Sequence, residues 1–494
     1  MPIRMSGLNS GLDTEAIIGE LMSAHKMKLT KIENKQTTLE WTKEKWQSLN
    51  TKLYDLYTTK LSKLRLASTY QSKRVTSSNE SKVKATGTSK AVNGTHSIQV
   101  KQLASAQHTT GSQLAAGTTA STELTDLGYA IGDEITITTG DGVTHSFTVE
   151  GDSTIASFAK FADGAGLNAN FDAGQRRLYL SSKESGKENS FQIMVNGGTE
   201  GLEKLGLGSD AKTVEATDAI FTYNGVEYTE SSNTVTVNGL TLQLSGTTAN
   251  YGEDNAETIT LTVDTDVEAA YNAVKDFITS YNEILKEMND LYYAKSARGY
   301  DPLTDEQKDA MSDSEVEKWE DKIKGALLRN DGTLGGLLSG MKSALGGSVE
   351  VNGQKYSLSS FGISTSTDYT EKGLLHIYGD TSDATYASKD DKLKAALIND
   401  PETTVKALTG IFDSLYSEMT KRMAATSMSS ALTFYNDKQF TKLEDQYKKE
   451  YSKMETKLTD IEDRYYKQFT AMETAMAKLN QQQSALAGML GSGS

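Results

Sequence analysis

Five histidines, at positions 25, 96, 108, 145 and 376, are the first place to look for metal or acid–base chemistry. No two sit on one helix at ligand spacing, and H-E-x-x-H does not occur. His96 and His108 are expected on strand or loop surfaces. Gly206-x-Gly208-x-x-Ala211 imitates a dinucleotide fingerprint. That fingerprint needs a strand before it and a helix after it, whereas Thr199–Leu205 reads as a helical turn and no helix follows. No phosphate-cradling P-loop is present. The pair Asp390-Asp391 falls at a helix start, where the helix dipole and solvent account for it. Asn79-Glu80-Ser81 and Asn93-Gly94-Thr95 match a glycosylation pattern that is short enough to arise by chance. The chain has no cysteine, which removes disulfides, thiolate nucleophiles and thiolate metal sites together. No catalytic residue, cofactor or metal is expected, and the chain does not read as an enzyme.

The residues with a job to do form a packing seam. Tyr447, Tyr451, Met454, Leu458, Ile461, Tyr465, Gln468, Met472, Ala475, Leu479, Gln482, Leu486 and Met489 alternate steps of four and three. Such a stripe supercoils a helix against a partner. Its 43 residues make a rod of roughly 65 Å. Alone in water the stripe is unsatisfied, so the rod must find other helices. A second stripe runs Ile18, Leu21, His25, Lys28, Ile32, Lys35, Leu39, Thr42, Trp46, Leu49, Leu53, Leu56. Its first half is impure and its second half, from Trp46, is clean. That pattern suggests a weak outer segment and a firmer inner one. Tyr, Met and Gln on the tail seam make it adaptable. Burying one large apolar side chain contributes about 1.5–3 kcal/mol, and Gln468, Ala475 and Gln482 forgo several such increments.

These seams need long helices to carry them. With prolines only at 2, 302 and 401, nothing interrupts such helices. Asp13 is a candidate cap for the first, with Leu12 and Ile17 as a hydrophobic staple. From residue 75 to about 263 the pattern changes to strands, such as 134–138, 146–149, 178–180 and 234–237. Asn224-Gly225 and Asn238-Gly239 fit hairpin turns, and a short helix is expected at Ile155–Asp163. Helix returns with Val267, Tyr271, Val274, Ile278, Tyr281, Leu285, Met288, Tyr292, and again near Glu315–Leu328. Asp400 and Pro401 open a further helix with the stripe Val405, Leu408, Phe412, Leu415, Met419.

The 494 residues suffice for several domains. The expected fold class is α+β and multidomain: an antiparallel coiled-coil or helical-bundle leg formed by both chain ends, with an inserted two-domain β-rich head. The segments expected are a leg at 1–74, inner head at 75–107, outer head at 108–215 and inner head again at 216–263. Leg follows at 264–330, a last inner-head part at 331–385, leg at 386–436 and the coiled-coil leg at 437–494.

The chain carries net charge −15, which disfavours nucleic acid as a partner. Residues 107–250 alone carry −11, while 1–75 carry +6. No run is long and apolar enough for a membrane span, and the first residues lack a cleavable signal's apolar core. No membrane partner is expected.

Several segments together resemble a known family. The start Ser6-Gly7-Leu8-Asn9-Ser10-Gly11-Leu12-Asp13-Thr14, with Ile17 and Leu21-Met22, is similar to the N-terminal signature of the bacterial flagellar filament cap family (FliD, hook-associated protein 2). So are Gly94–Ala104, Asp218–Phe221 with Asn224-Gly225, Gly239–Leu244, Phe277–Asn282, and the ending Tyr466–Glu473 followed by Leu479–Gln482. Residues 108–215 match loosely, and the acidic insertion Asp305–Asp321 looks particular to this chain. The resemblance implies export without a cleavable signal and a homo-oligomeric ring, taken as a pentamer, at the filament's distal tip. The implied partners are flagellin, the hook–filament junction proteins and a cytoplasmic export chaperone, with host mucin as a further one. In that picture the helical ends occupy places that flagellin's helices will fill. An alternative reading is an extracellular adhesin whose β head binds glycan or mucin and whose coiled coil multimerises it.

Overall fold

A computed structural model describes residue 11 and residues 13–491, the last four by backbone alone. Leu12, and with it the proposed staple, lies outside the described residues, as do Ser6–Ser10 of the N-terminal signature and the side chain of Met489. The longer helices, in chain order, are α1 (Thr14–Asp55), α2 (Ile155–Gly164), α3 (Val267–Tyr292), α4 (Asp313–Ala326), α5 (Gly332–Gly346), α6 (Lys392–Asn399), α7 (Pro401–Arg422) and α8 (Asp437–Gly491). The chain divides into two compact units, one of residues 1–70 and 268–494, the other of residues 71–267. The fold is thus α+β and multidomain, with helices at both chain ends and a β-rich unit inserted between them in sequence.

The β-rich unit has two cores. The inner one lies under an antiparallel eight-stranded sheet built from residues 73–102 and 219–265. Its alternating strands turn Val83, Ile98, Val100, Phe221, Leu242 and Leu261 inward. Asn224-Gly225 and Asn238-Gly239 take positive φ at both positions, the geometry of the tightest hairpin turns. The outer core gathers Ile135, Ile137, Phe158, Leu167, Leu178, Leu180 and Leu205 between a four-stranded sheet, a three-stranded sheet and α2. Thr154 and Ser157 close a capping box at the start of α2.

His96 departs from expectation, being buried in the inner core rather than on a surface. Its Nδ1 meets the Tyr223 hydroxyl at 2.9 Å and the Asn224 amide at 3.1 Å, and its Nε2 faces the Val92 carbonyl at 3.1 Å. It stacks on the Tyr223 ring with centroids 5.4 Å apart. The imidazole is a satisfied core polar group.

In the helical unit, α3, α5 and α7 form a bundle. The stripes of α3 and α7 both point inward, with Val274, Leu285, Met288, Leu408, Phe412 and Leu415 fully buried. Phe277 meets Phe412 edge-on at 5.1 Å. Asp400 caps α7 by accepting from Thr403 N at 3.2 Å, with Pro401 at the first helical position.

Residues 331–385 were expected with the head and belong instead to this helical unit. Their strands form two short hairpins, Ser348–Val351 with Gln354–Ser357 and Ile363–Thr365 with Leu375–Ile377. Hairpins this small cannot make a core of their own and pack on helices. The strand Ser348–Val351 lies on α7. Asn282 of α3 clamps Leu375, its carbonyl oxygen accepting from the backbone N–H at 2.9 Å and its amide donating to the carbonyl at 2.7 Å.

Candidate assembly interface

The two chain ends pair with each other. α1 and α8 run antiparallel as a hairpin. At its base Trp46 stacks on Tyr435, centroids 5.8 Å apart and planes at 9°, and Asn50 accepts from Phe434 N at 2.8 Å. Midway, Lys43 pairs with Glu444 at 2.7 Å, which holds the Lys43 ammonium above its usual range. Lys35 lies 5.8 Å over the Tyr447 ring. Burial first, and then Glu33, raise the Tyr451 hydroxyl above its usual value. Farther out, His25 Nε2 meets the Tyr465 hydroxyl at 3.4 Å. At the far end Ile18, Met22, Leu458 and Ile461 form a small core with Leu29, Met454, Tyr465, Tyr466 and Phe469 packed around it. Asp13 caps α1 there, accepting from Ala16 N at 3.0 Å.

The expected seam residues are therefore distributed unevenly. Trp46, Leu49, Leu53 and Leu56 are buried, as are Leu458 and Ile461. Tyr447, Tyr451, Met454, Tyr465 and Met472 are half-buried. Leu479 and Leu486 are 59% and 60% exposed.

Two details of the stripes come out differently. On α1 the buried positions after Ile18 are Met22 and the half-buried Leu29, where Leu21 and Lys28 were expected. Leu21 is 40% exposed and Met22 only 4%. The antiparallel partner lies on the side of these later residues. On α8 the inward position after Tyr465 is Phe469, and Gln468 is exposed. A straight α-helix drifts about 20° per heptad against a seven-residue repeat, so the inward line slides one residue on. A count of the helical period from Leu458 could have found Phe469. The aromatic pair Phe434-Tyr435, just before α8, was not singled out from the sequence either.

No cluster of three or more His, Asp or Glu placed to hold a metal occurs among the described residues. Nor is any helix among them long and apolar enough to cross a membrane. His376 lies between Glu371, at 2.9 Å, and Asp383, at 2.6 Å, and stacks on Tyr386. This is a local tie within the helical unit.

A bundle that extends into a two-helix stalk, with a β-rich unit inserted in the chain, is the build of a structural protein working through helix packing. Two family models match the sequence: the N-terminal region of flagellar hook-associated protein 2 over residues 10–107, and its C-terminal region over residues 216–481. The chain belongs to the flagellar hook-associated protein 2 family. It is 30% identical to flagellar hook-associated protein 2 of Halalkalibacterium halodurans, over 83% of this chain and 80% of that one. It is 28% identical to that of Escherichia coli strain K12, over 89% of each. The D1-D2-D3 domains of the flagellar cap protein FliD from Escherichia coli share the fold at TM-score 0.54, 22% identity, 77% of this chain and 97% of that one. Neither family model reaches residues 108–215, the outer part of the β-rich unit.

Proposed function

We propose that this chain is the structural cap of a bacterial flagellar filament, a homo-oligomeric ring at the distal tip that helps exported flagellin fold and insert and prevents its loss. Family membership supports the reading, and one observation carries its mechanism. Past Met472, α8 continues to Gly491 with Met476, Leu479 and Leu486 at 37%, 59% and 60% exposure. Ile17 and Leu21 on α1 are exposed as well. An apolar row left open on a helix end is a docking strip for another helix.

The mechanism follows from the strength of the seam. A cap that advances must release one set of neighbours before binding the next. Each large apolar contact is worth about 1.5–3 kcal/mol, and a strip diluted by Ala475 and Gln482 keeps the total moderate. Copies of the chain associate as the ring, taken as a pentamer, and the helix ends meet flagellin. The hook–filament junction proteins are neighbours before growth begins, and a cytoplasmic chaperone covers the chain before export. The role needs no catalytic group, cofactor or metal. No observation favours the adhesin alternative.

The test is a full-length chain with Met476→Ser, Leu479→Ser and Leu486→Ser in a strain lacking its own cap. The expected result is an unchanged unfolding temperature, a ring of unchanged mass and loss of filament growth. Filaments of normal length from this variant would contradict the reading.

A further inference from the structure

The first helix contains one residue too many for its own seam. Its buried positions step three, four and three through Trp46, Leu49, Leu53 and Leu56, and the next buried leucine is Leu61, five residues on. Leu64 then resumes the rhythm. The segment Leu56–Leu61 is a π-helical turn, in which Ser62 N donates to the Tyr57 carbonyl five residues back. The backbone stays right-handed helical on both sides. A π turn of this kind is a one-residue insertion, and removing that residue restores a step of four without rephasing either flank.

The turn is built to be tolerated. Hydroxyls bond back onto the carbonyls of the turn, as they do at Thr42 and Thr51 earlier in the helix. Thr58 Oγ1 donates to the Tyr54 carbonyl at 2.9 Å, Thr59 Oγ1 to the Asp55 carbonyl at 2.7 Å, and Ser62 Oγ to the Thr58 carbonyl. Such back-bonding favours a bend. One side of the turn is anchored. Tyr57 stacks on Tyr416 of α7 at 4.3 Å, and its hydroxyl meets Thr420 Oγ1 at 2.9 Å. The other side faces a cleft of about 270 Å³ between Lys52, Leu56 and Lys60 on one wall and Ser280, Ile284 and Glu287 of α3 on the other. The polar ties that cross it run from Lys52 to Glu287 at 2.6 Å, and from Lys60 to Ser280 at 2.6 Å and to the Asp276 carbonyl at 3.3 Å. All three involve lysine stems that can follow a displacement.

We infer that the π turn at Leu56–Leu61 is the joint of the stalk. The α1–α8 hairpin pivots on it toward the cleft, while the seam above and the seam below both stay packed. A continuous α-helix would satisfy the same two seams without the poorer hydrogen bonding of the wide turn, so the extra residue serves motion rather than packing. The inference rests on the cap reading, because stepping from one set of neighbours to the next is what requires a stalk to tilt.

The experiment deletes Thr59, which is exposed, from the full-length chain, and as a control deletes Thr51, also exposed, two turns earlier. The Thr59 deletion should fold, with an unfolding temperature equal to or above that of the parent, and should form rings yet fail to extend filaments in a strain lacking its own cap. The Thr51 deletion should unfold at a lower temperature, because it rotates Trp46 and Leu49 away from Leu53. A Thr59 deletion as unstable as the Thr51 deletion would show that the turn is not an insertion. A stable Thr59 deletion that grows normal filaments would show that it is not a joint. If the cap reading itself were at fault, the parent chain would also fail to restore filament growth in that strain.

Discussion

The bundle and the stalk of the helical unit are written in the same four-three rhythm and come out as different materials. In the bundle, the stripes of α3 and α7 are large and apolar at nearly every step, and Val274, Phe277, Leu285, Leu408, Phe412 and Leu415 are fully buried. In the stalk the line meets His25, Lys35 and Thr42 on α1, and most inward residues of α8 are half-buried. Seam periodicity fixes which face a helix turns inward, but the side chains on that face set how firmly it is held. A stalk of modest hold beside a bundle of firm hold suits a helix pair that exchanges partners while its base stays folded.

The contrast can be broken most sharply at Phe412. Phe412→Ala removes a fully buried ring that meets Phe277 edge-on. It should lower the unfolding free energy of the helical unit by about 3–5 kcal/mol, read by denaturant titration. In the stalk, Ile461→Ala should cost about 2 kcal/mol, at the low end for such a truncation, because its small core lies at one end of the hairpin. Hydrogen exchange should show that loss in the outer halves of α1 and α8 while the bundle amides stay protected. Equal losses of global stability from the two substitutions would erase the distinction drawn here.

The bundle's polar ties sharpen the comparison further. Asp380 is pushed up by partial burial, but its hydrogen bonds to Lys275, at 2.6 Å, and to Ser382 outweigh this and hold the carboxyl below its usual value. A depressed folded-state value stabilises the native form above the unfolded pKa of about 3.9, and the contribution disappears as pH falls through the folded value. Asp380→Asn should therefore destabilise the chain at neutral pH and flatten the loss of stability below about pH 4. The smallest effect is expected in the stalk. Glu444→Gln breaks a partly exposed pair with Lys43 and should cost under about 1 kcal/mol at low salt and less at high salt.

How much of this could be read from the chain depends on what each signal reports. The stripes of α3 and α7 and the Asp400-Pro401 start are local patterns, and the structure places them as read. The two Asn-Gly turns were equally legible, because positive φ at both positions selects those residues. Met22 and Phe469 were missed because the face a helix buries depends on where its partner lies and on whether the pair supercoils. The step of five from Leu56 to Leu61 lies beyond any template of threes and fours. Residues 331–385 look like strand and turn, and nothing local says that two small hairpins will settle on helices. His96 reads as an exposed strand residue until Tyr223 and Asn224, more than a hundred residues away, close around it.

The central claim is that the outer stalk seam is only partly satisfied within one chain and is completed by neighbours. Hydrogen–deuterium exchange on α8, compared between the dissociated chain and the chain seated at a filament tip, addresses it directly. Amides of Asp437–Phe469 should be protected in both states. Those from residue 474 to 487 should exchange freely in the dissociated chain and become protected at the tip. Protection of residues 474–487 in the dissociated chain equal to that of Asp437–Phe469 would contradict the account.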